Sequence, residues 1–349
     1  MLLMGIETSC DETAAAIVSR DGNIRSNIIL SQLEEHRPYG GVVPEIAARS
    51  HLQYLPEIIR SALKEADLEF EDLTGVAATA GPGLIGGVMV GLMAAKSIAL
   101  VHDIPFAAVH HMEAHALTAR LTDTVPFPYL ALLVSGGHCQ FVVVEGPGAY
   151  QILGATVDDA IGEAFDKTAK LLGVEFPGGP KIEILAKKGD PNKYNLPKPI
   201  FNKGGCNLSF AGLKTAILKI AKDIKNDQEK FDLAASFQKT IIEILSKKTK
   251  IAFSEFEKQI EPKQKKFVVA GGVAANKEIR NMLVEICKKN NYESIFPPID
   301  LCGDNAAMIA MVGLEKFKLK KFDKLDYPAR PRWPLDEDAI FLKGAGVKL

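Results

Sequence analysis

Residues 110–115 read His-His-Met-Glu-Ala-His. His111 and His115 are four apart, and on a helix that spacing puts both imidazoles on one face, one turn apart, where they can share a metal ion. The zinc-protease signature places a glutamate directly after the first histidine as general base. Met112 holds that place, and Glu113 points to a different face, so the protease pattern is absent. Two imidazoles and one carboxylate, with open positions, suit a non-haem iron(II) or a zinc(II) Lewis acid. The carboxylate has to come from elsewhere in the chain.

Glycine-rich junctions supply the second chemistry. Gly271-Gly272-Val273-Ala274-Ala275-Asn276 stands between a strand at 267–270 and a helix. Small residues there let backbone approach a nucleotide, and a helix N-terminus favours an anion. The turn Ser135-Gly136-Gly137 offers backbone N–H groups to phosphate in the same way. Gly81-Pro82-Gly83 and Gly178-Gly179-Pro180 add two tight turns. With no Walker A and no G-x-G-x-x-G pattern, a P-loop or Rossmann site is disfavoured. Several such turns at element junctions point to a nucleotide cleft.

The elements that must position these groups repeat. Apolar runs at 2–6, 14–18 and 24–31 are strands separated by a polar turn (7–13) and an Asp21-Gly22 turn. Runs at 129–134, 140–144 and 150–153 repeat the order, around Ser135-Gly136-Gly137-His138 and Gly146-Pro147-Gly148. Helix and strand then alternate in each half: 43–66, 75–80 and 84–101, then 267–270, 276–289, 294–296 and 305–317. This is layered α/β architecture, duplicated, with an interdomain cleft where ligands are favoured. The halves divide as 1–128 and 129–309, with a loop insertion at 177–208 and a C-terminal arm, 310–349, packing back on the first. Glu7, Asp11 and Glu12 are carboxylates on the first cleft turn, either catalytic or a polar rim, with Asp11 and Glu12 the catalytic candidates.

A chain of 349 residues, 47% of them hydrophobic, can bury a full core and suits two domains better than one. Its five cysteines form no C-x-x-C pair, the pattern of a reducing cytosol. The N-terminal residues carry no basic stretch and read as a buried strand, not a signal peptide. The longest apolar run, 84–101, is broken by Gly86, Gly87, Gly91 and Lys96 and reads as a buried helix, not a span. The expectation is a cytoplasmic protein with no membrane partner. Net charge is −1, which excludes bulk electrostatic capture of nucleic acid. Yet residues 181–225 hold ten lysines against three acids, and 316–332 hold seven basic residues against two. Clusters of this kind can track a phosphate backbone.

Eight blocks together resemble the TsaD family, in family order and over nearly the whole chain. They are Gly5-Ile6-Glu7-Thr8-Ser9-Cys10-Asp11-Glu12-Thr13, Tyr39-Gly40-Gly41-Val42-Val43-Pro44-Glu45, Ala80-Gly81-Pro82-Gly83-Leu84, residues 110–115, 133–138, 162–170 and 270–276, and Pro331-Arg332-Trp333-Pro334. The resemblance implies the actin-like fold of sugar kinases and Hsp70. It implies transfer of the threonylcarbamoyl group from threonylcarbamoyl-AMP to the N6 amine of adenosine 37, in tRNAs reading codons that start with A, with release of AMP. It implies His111 and His115 as metal ligands completed by Asp304, with iron(II) ahead of zinc(II). With the histidine pair in one half and the acid at a helix start in the other, that centre is expected to bridge the two domains. Leu133, Val134, Ser135, Gly136, Gly137, Asp166, Gly179 and Asn276 would hold the adenylate, with a ribose contact from Glu183. Gly303 stands where the family commonly has Thr, so the local support of Asp304 differs. Implied partners are tRNA, bound weakly by this chain alone, a TsaB-like inactive paralogue and a TsaE-like ATPase, with TsaC supplying the adenylate. Two other readings share the fold: an ATPase or small-molecule phosphotransferase, and a nucleotide-binding scaffold without catalysis.

Overall fold

The computed structural model describes residues 1–123 and 125–339. Two compact units emerge: Met1–Val125 with Pro297–Glu337, and Pro126–Phe296.

In the first unit, β1 (Leu2–Glu7), β2 (Glu12–Ser19) and β3 (Ile24–Ser31) form an antiparallel meander. After a short α1 (Leu33–His36) comes α2 (Pro44–Ala66), which starts with Pro44 at its first position, where no N–H is needed, and ends at left-handed Asp67. Next come β4 (Gly75–Gly81), α3 (Ile85–His102), β5 (Phe106–His110) and α4 (His111–Leu117). The sheet order is β3-β2-β1-β4-β5, with β4 and β5 parallel to β1. Central strands β1 and β4 are apolar on both faces because both are covered.

The second unit repeats this plan. Strands β6 (Tyr129–Val134), β7 (Cys139–Gly146) and β8 (Ala149–Ala155) form the meander. Helices α5 (Ile161–Leu171), α6 (Gly178–Ala186), α7 (Ala211–Ala221) and α8 (Asp227–Ile260) follow, then β9 (Lys266–Ala270), α9 (Lys277–Lys289) and β10 (Glu293–Ile295). The order β10-β9-β6-β7-β8 matches that of the first sheet, strand for strand and direction for direction. This is the duplicated actin-like fold. The region expected to be a loop insertion opens with a helix, α6, because the carboxylate of Asp166 accepts the Gly178 N–H at 2.7 Å and caps it.

The chain then returns to the first unit through α10 (Ala306–Lys318). Gly5 of β1 is needed for that return: a Cβ there would lie 2.2 Å from the Ala306 carbonyl oxygen. Residues 297–309, expected in the second half, therefore belong with the first. The following arm runs back along β4 and β5, with Arg330 N–H donating to Ala80 O at 2.7 Å and Gly83 N–H to Pro331 O at 3.2 Å. Residues 340–349 of the expected arm lie outside the described residues.

Helix α3 departs from the expected buried helix. Gly87, Val88, Gly91, Leu92, Ala95 and Ala99 face inward, but Ile85, Met89, Met93, Leu100 and Val101 are exposed. By length and hydropathy (18 residues, mean 1.6) it could cross a membrane, and one third of it is buried. Its inner face packs on β4, β1 and α2, as a layer helix of an α/β sheet does.

Candidate metal centre and phosphate loops

The three side chains that could hold a metal converge because two helix starts are fixed independently. At the end of β5, His110 Nδ1 accepts the Met112 N–H at 3.1 Å and caps α4, while its Nε2 donates to the Trp333 carbonyl at 2.8 Å. The helix so started puts the His111 and His115 rings edge to face, centroids 4.7 Å apart. At α10 the cap is Asn305, which accepts the Met308 N–H at 3.0 Å. Asp304 is thereby left to face the histidines. Its Oδ1 lies 3.0 Å from His115 Nε2 and 3.5 Å from His111 Nε2. One donor atom from each of the three residues falls within 4.8 Å of the others. All three ligands belong to the first unit, so the expected joining of two halves is corrected: Asp304 comes from α10's start, which folds with the histidines.

The surroundings fix which nitrogen His111 presents. Glu7, fully buried at the end of β1, accepts the Thr79 hydroxyl at 2.6 Å and the Ser9 N–H at 2.5 Å. Its Oε2 stands 3.1 Å from His111 Nδ1, and Ser9 Oγ stands 3.2 Å from the same atom. An ionised carboxylate only accepts, so Nδ1 carries the hydrogen and Nε2 turns a lone pair toward Asp304. Lone pair facing anionic oxygen demands a proton or a cation between them. Two imidazoles, one carboxylate and a carboxylate behind the first imidazole are a donor set that a divalent iron or zinc ion fits.

Charge states follow the same logic. Burial by itself would lower the His111 pKa, but Asp304 and Glu7 outweigh it and push the ring up to about 9. Burial raises the Glu7 carboxyl, and the charge and hydrogen bond of His111 more than reverse this, leaving it below the ordinary value. Glu12 is pushed well above the ordinary carboxylate range by burial, then by Asp304, Asp11 and Glu7. Because the folded value for His111 is raised, its contribution to metal-free stability is complete below pH ~6.5 and is lost as pH rises through about 9. A metal must displace that proton. Its apparent affinity should therefore climb about tenfold per pH unit from pH 6.5 and level near 9, in zinc(II) titrations against a chelator. A flat profile would mean that His111 does not hold the displaced proton.

In the second unit the glycine turns meet at the C-terminal ends of parallel strands β6 and β9, where α/β folds place ligands. Gly271 has φ +100°, and a Cβ on it would lie 2.4 Å from the Val134 carbonyl oxygen. A Cβ on Gly162, in the first turn of α5, would lie 2.6 Å from Gly136 Cα. Gly136 and Gly137 themselves are exposed, with open space around them. Leu133 and Val134 are fully buried, so only their backbone is available to a ligand. Asp166 is occupied with the cap of α6, Gly179 lies in the first turn of that helix, and Glu183 pairs with Lys187 at 3.6 Å. Asn276 caps α9 through Ile279 N–H at 3.0 Å and donates to Gln238 at 3.1 Å.

Sequence reasoning missed Ser9, Thr79 and Gln238, and read Glu7 as a catalytic or rim carboxylate, where the structure buries it behind His111. The available signal for Glu7 was an acid closing an otherwise apolar strand, next to a polar turn.

Residues 23–311 match the family model described as TsaD, tRNA N6-adenosine threonylcarbamoyltransferase. The chain is 63% identical to the tRNA N6-adenosine threonylcarbamoyltransferase of Pelagibacter ubique (strain HTCC1062), covering 100% of this chain and 99% of that one. It is 54% identical to the protein of the same name from Rickettsia rickettsii (strain Sheila Smith), covering 96% and 98%. Among solved structures, T. kodakarensis HypF is similar with a TM-score of 0.60 at 15% identity, over 91% of this chain and 48% of that one. Component A of the Acidaminococcus fermentans (R)-2-hydroxyglutaryl-CoA dehydratase is similar with a TM-score of 0.52 at 16% identity, over 90% and 98%. At such identities these two speak for the fold alone.

Proposed function

The chain belongs to the TsaD family of tRNA N6-adenosine threonylcarbamoyltransferases, and we propose that it moves the threonylcarbamoyl group from threonylcarbamoyl-AMP to N6 of adenosine 37 in tRNA. The amine nitrogen bonds to the carbamoyl carbon, the bond from that carbon to the phosphate oxygen breaks, AMP leaves, and the amine gives up a proton. His111, His115 and Asp304 would hold the divalent ion, iron(II) ahead of zinc(II), and such an ion supplies Lewis acidity toward a carbonyl oxygen. The convergence of these three side chains carries the reading.

This chain's own groups have separable tasks. Glu7 and Ser9 orient His111. Glu12, whose surroundings raise its proton affinity, suits the acceptance of the amine proton, with Asp11 beside it. Backbone N–H groups of Ser135, Gly136 and Gly137, with the small residues from Gly271 to Asn276, suit the phosphate and purine of the adenylate. Asp166, Gly179 and Asn276 serve by shaping α6 and α9, and Glu183 offers a carboxylate toward ribose.

The partners follow from two surfaces. The exposed stripe Ile85, Met89, Met93 and Leu100 on α3, with Leu52 of α2, suits a helical partner, and we assign it to the TsaB-like paralogue. The lysine-rich segment 181–225 suits tRNA phosphates, although Lys187 and Lys198 are already paired with Glu183 and Glu243. A TsaE-like ATPase completes the set, and the substrates belong to the cytoplasm. The test supplies labelled threonylcarbamoyl-AMP, tRNA and the partner proteins. Label should appear in tRNA with one AMP released, and not in a tRNA carrying guanosine at position 37. ATP hydrolysis without tRNA, and no label transfer, would favour a phosphotransferase.

A further inference from the structure

A buried polar chain joins the loop at residues 40–43 to the turn that carries Asp11 and Glu12. Its members Thr13, Gln32, His36 and His51 are all 0–1% exposed. Both ends have a fixed sense. At one end the Val43 N–H can only donate, and it meets His36 Nδ1 at 3.3 Å. The proton of His36 therefore sits on Nε2, which donates to Gln32 Oε1 at 3.2 Å. That sets the Gln32 amide, whose Nε2 donates toward His51 Nδ1 at 3.1 Å and Thr13 Oγ1 at 3.2 Å. At the other end the Cys10 carbonyl can only accept, and it stands 3.0 Å from His51 Nε2. His51 must carry its proton there, leaving Nδ1 to accept from the Thr13 hydroxyl at 2.8 Å. Reasoning from either end gives the same assignment.

We infer that His51 is a positioning residue for the turn at residues 10–12, and that the loop at 40–43 imposes its tautomer through His36 and Gln32. Two successive carbonyls of the turn are held by this system: Cys10 O by the His51 ring, and Asp11 O by the Gln32 backbone N–H at 3.0 Å. Those peptides set the direction in which Asp11 and Glu12 leave the turn. The groups whose charge reaches His51 are Glu7 and Asp11, which favour protonation, and His36, which opposes it along with burial. Burial prevails and keeps the ring neutral, as a lone accepting Nδ1 requires. At the loop end, Gly40 is left-handed (φ +67°) and exposed, so a contact made there reaches the Val43 amide within three residues.

The kinetic part of the test rests on the transfer reaction proposed above, whereas the spectroscopic part does not. In protein labelled with 15N-histidine, NMR should find His36 and His51 as Nε2–H tautomers near neutral pH. Gln32→Glu replaces the donor facing Nδ1 with a carboxylate, so His51 should become doubly protonated. His51→Leu should lower kcat about tenfold or more while KM for the adenylate and metal content stay unchanged, and His51→Gln, which can return an N–H to Cys10 O, should recover most of the rate. A wild-type His51 in the Nδ1–H form overturns the proposal whatever the activity. So does a His51→Gln enzyme as slow as His51→Leu, or a folded His51→Leu enzyme at full rate. If His51→Leu fails to fold, the wild-type tautomers and the Gln32→Glu response decide.

Discussion

Replacing His115 by alanine removes the bound metal and lowers threonylcarbamoyl transfer by more than about a hundredfold, since loss of an outer-sphere partner alone costs ten- to a hundredfold. His115 is 1% exposed, and its Nε2 is 3.0 Å from Asp304. Two adjacent groups are already committed: the Nδ1 of His111 is engaged by Glu7 and Ser9, and Asn305 is engaged as the α10 cap. The helix should survive, because alanine is the best helix former and His110 still caps its start. Elemental analysis of anaerobically purified protein, with a transfer assay on the same sample, gives the readout. A folded His115→Ala protein with full metal and full rate would remove His115 from the centre.

The second large effect lies on α3. Met89→Glu with Met93→Glu should weaken association with the TsaB-like partner by more than a hundredfold, from the loss of about 1–1.5 kcal/mol for the remaining half of each methionine plus the cost of two unpaired charges in an apolar contact. Both side chains are about half exposed (51% and 55%), so the chain itself should keep its fold and its metal. Association is measured by calorimetry, with circular dichroism as the folding control. Unchanged affinity would move the partner to another surface.

Much of this was legible in the sequence because it is local. The i, i+4 histidine pair, the strand-turn-strand openings of both halves and the glycine turns depend on neighbours a few residues away. Asp304 was reached only through the family resemblance, for its pairing with His115 spans 189 positions. Its placement in the wrong half has the same cause: an α-helical segment does not announce which sheet it will cover. Glu7 looked like a rim carboxylate because nothing nearby reveals that β1 is the middle strand, where an acid must find partners such as Thr79 and His111. The outward face of α3 was hidden by its composition, apolar all round. Helix α6 was hidden by its glycines and proline, whose helix-breaking tendency is offset by an Asp166 cap twelve residues upstream.

The chain leaves its first unit at Val125 and regains it only at Pro297. During synthesis, then, the histidines emerge from the ribosome long before Asp304, and β1 waits for α10 to cover it. At roughly 5–20 residues per second the interval is on the order of ten seconds to half a minute. All five strands of the intervening sheet lie between Tyr129 and Ile295, so that sheet can be completed in that time. A nascent chain halted before residue 297 should thus hold a folded second unit and an unfinished first one, with a histidine pair able to hold metal only loosely. Completion of the His111, His115 and Asp304 cluster is in this sense a late event, dependent on residues that follow Phe296.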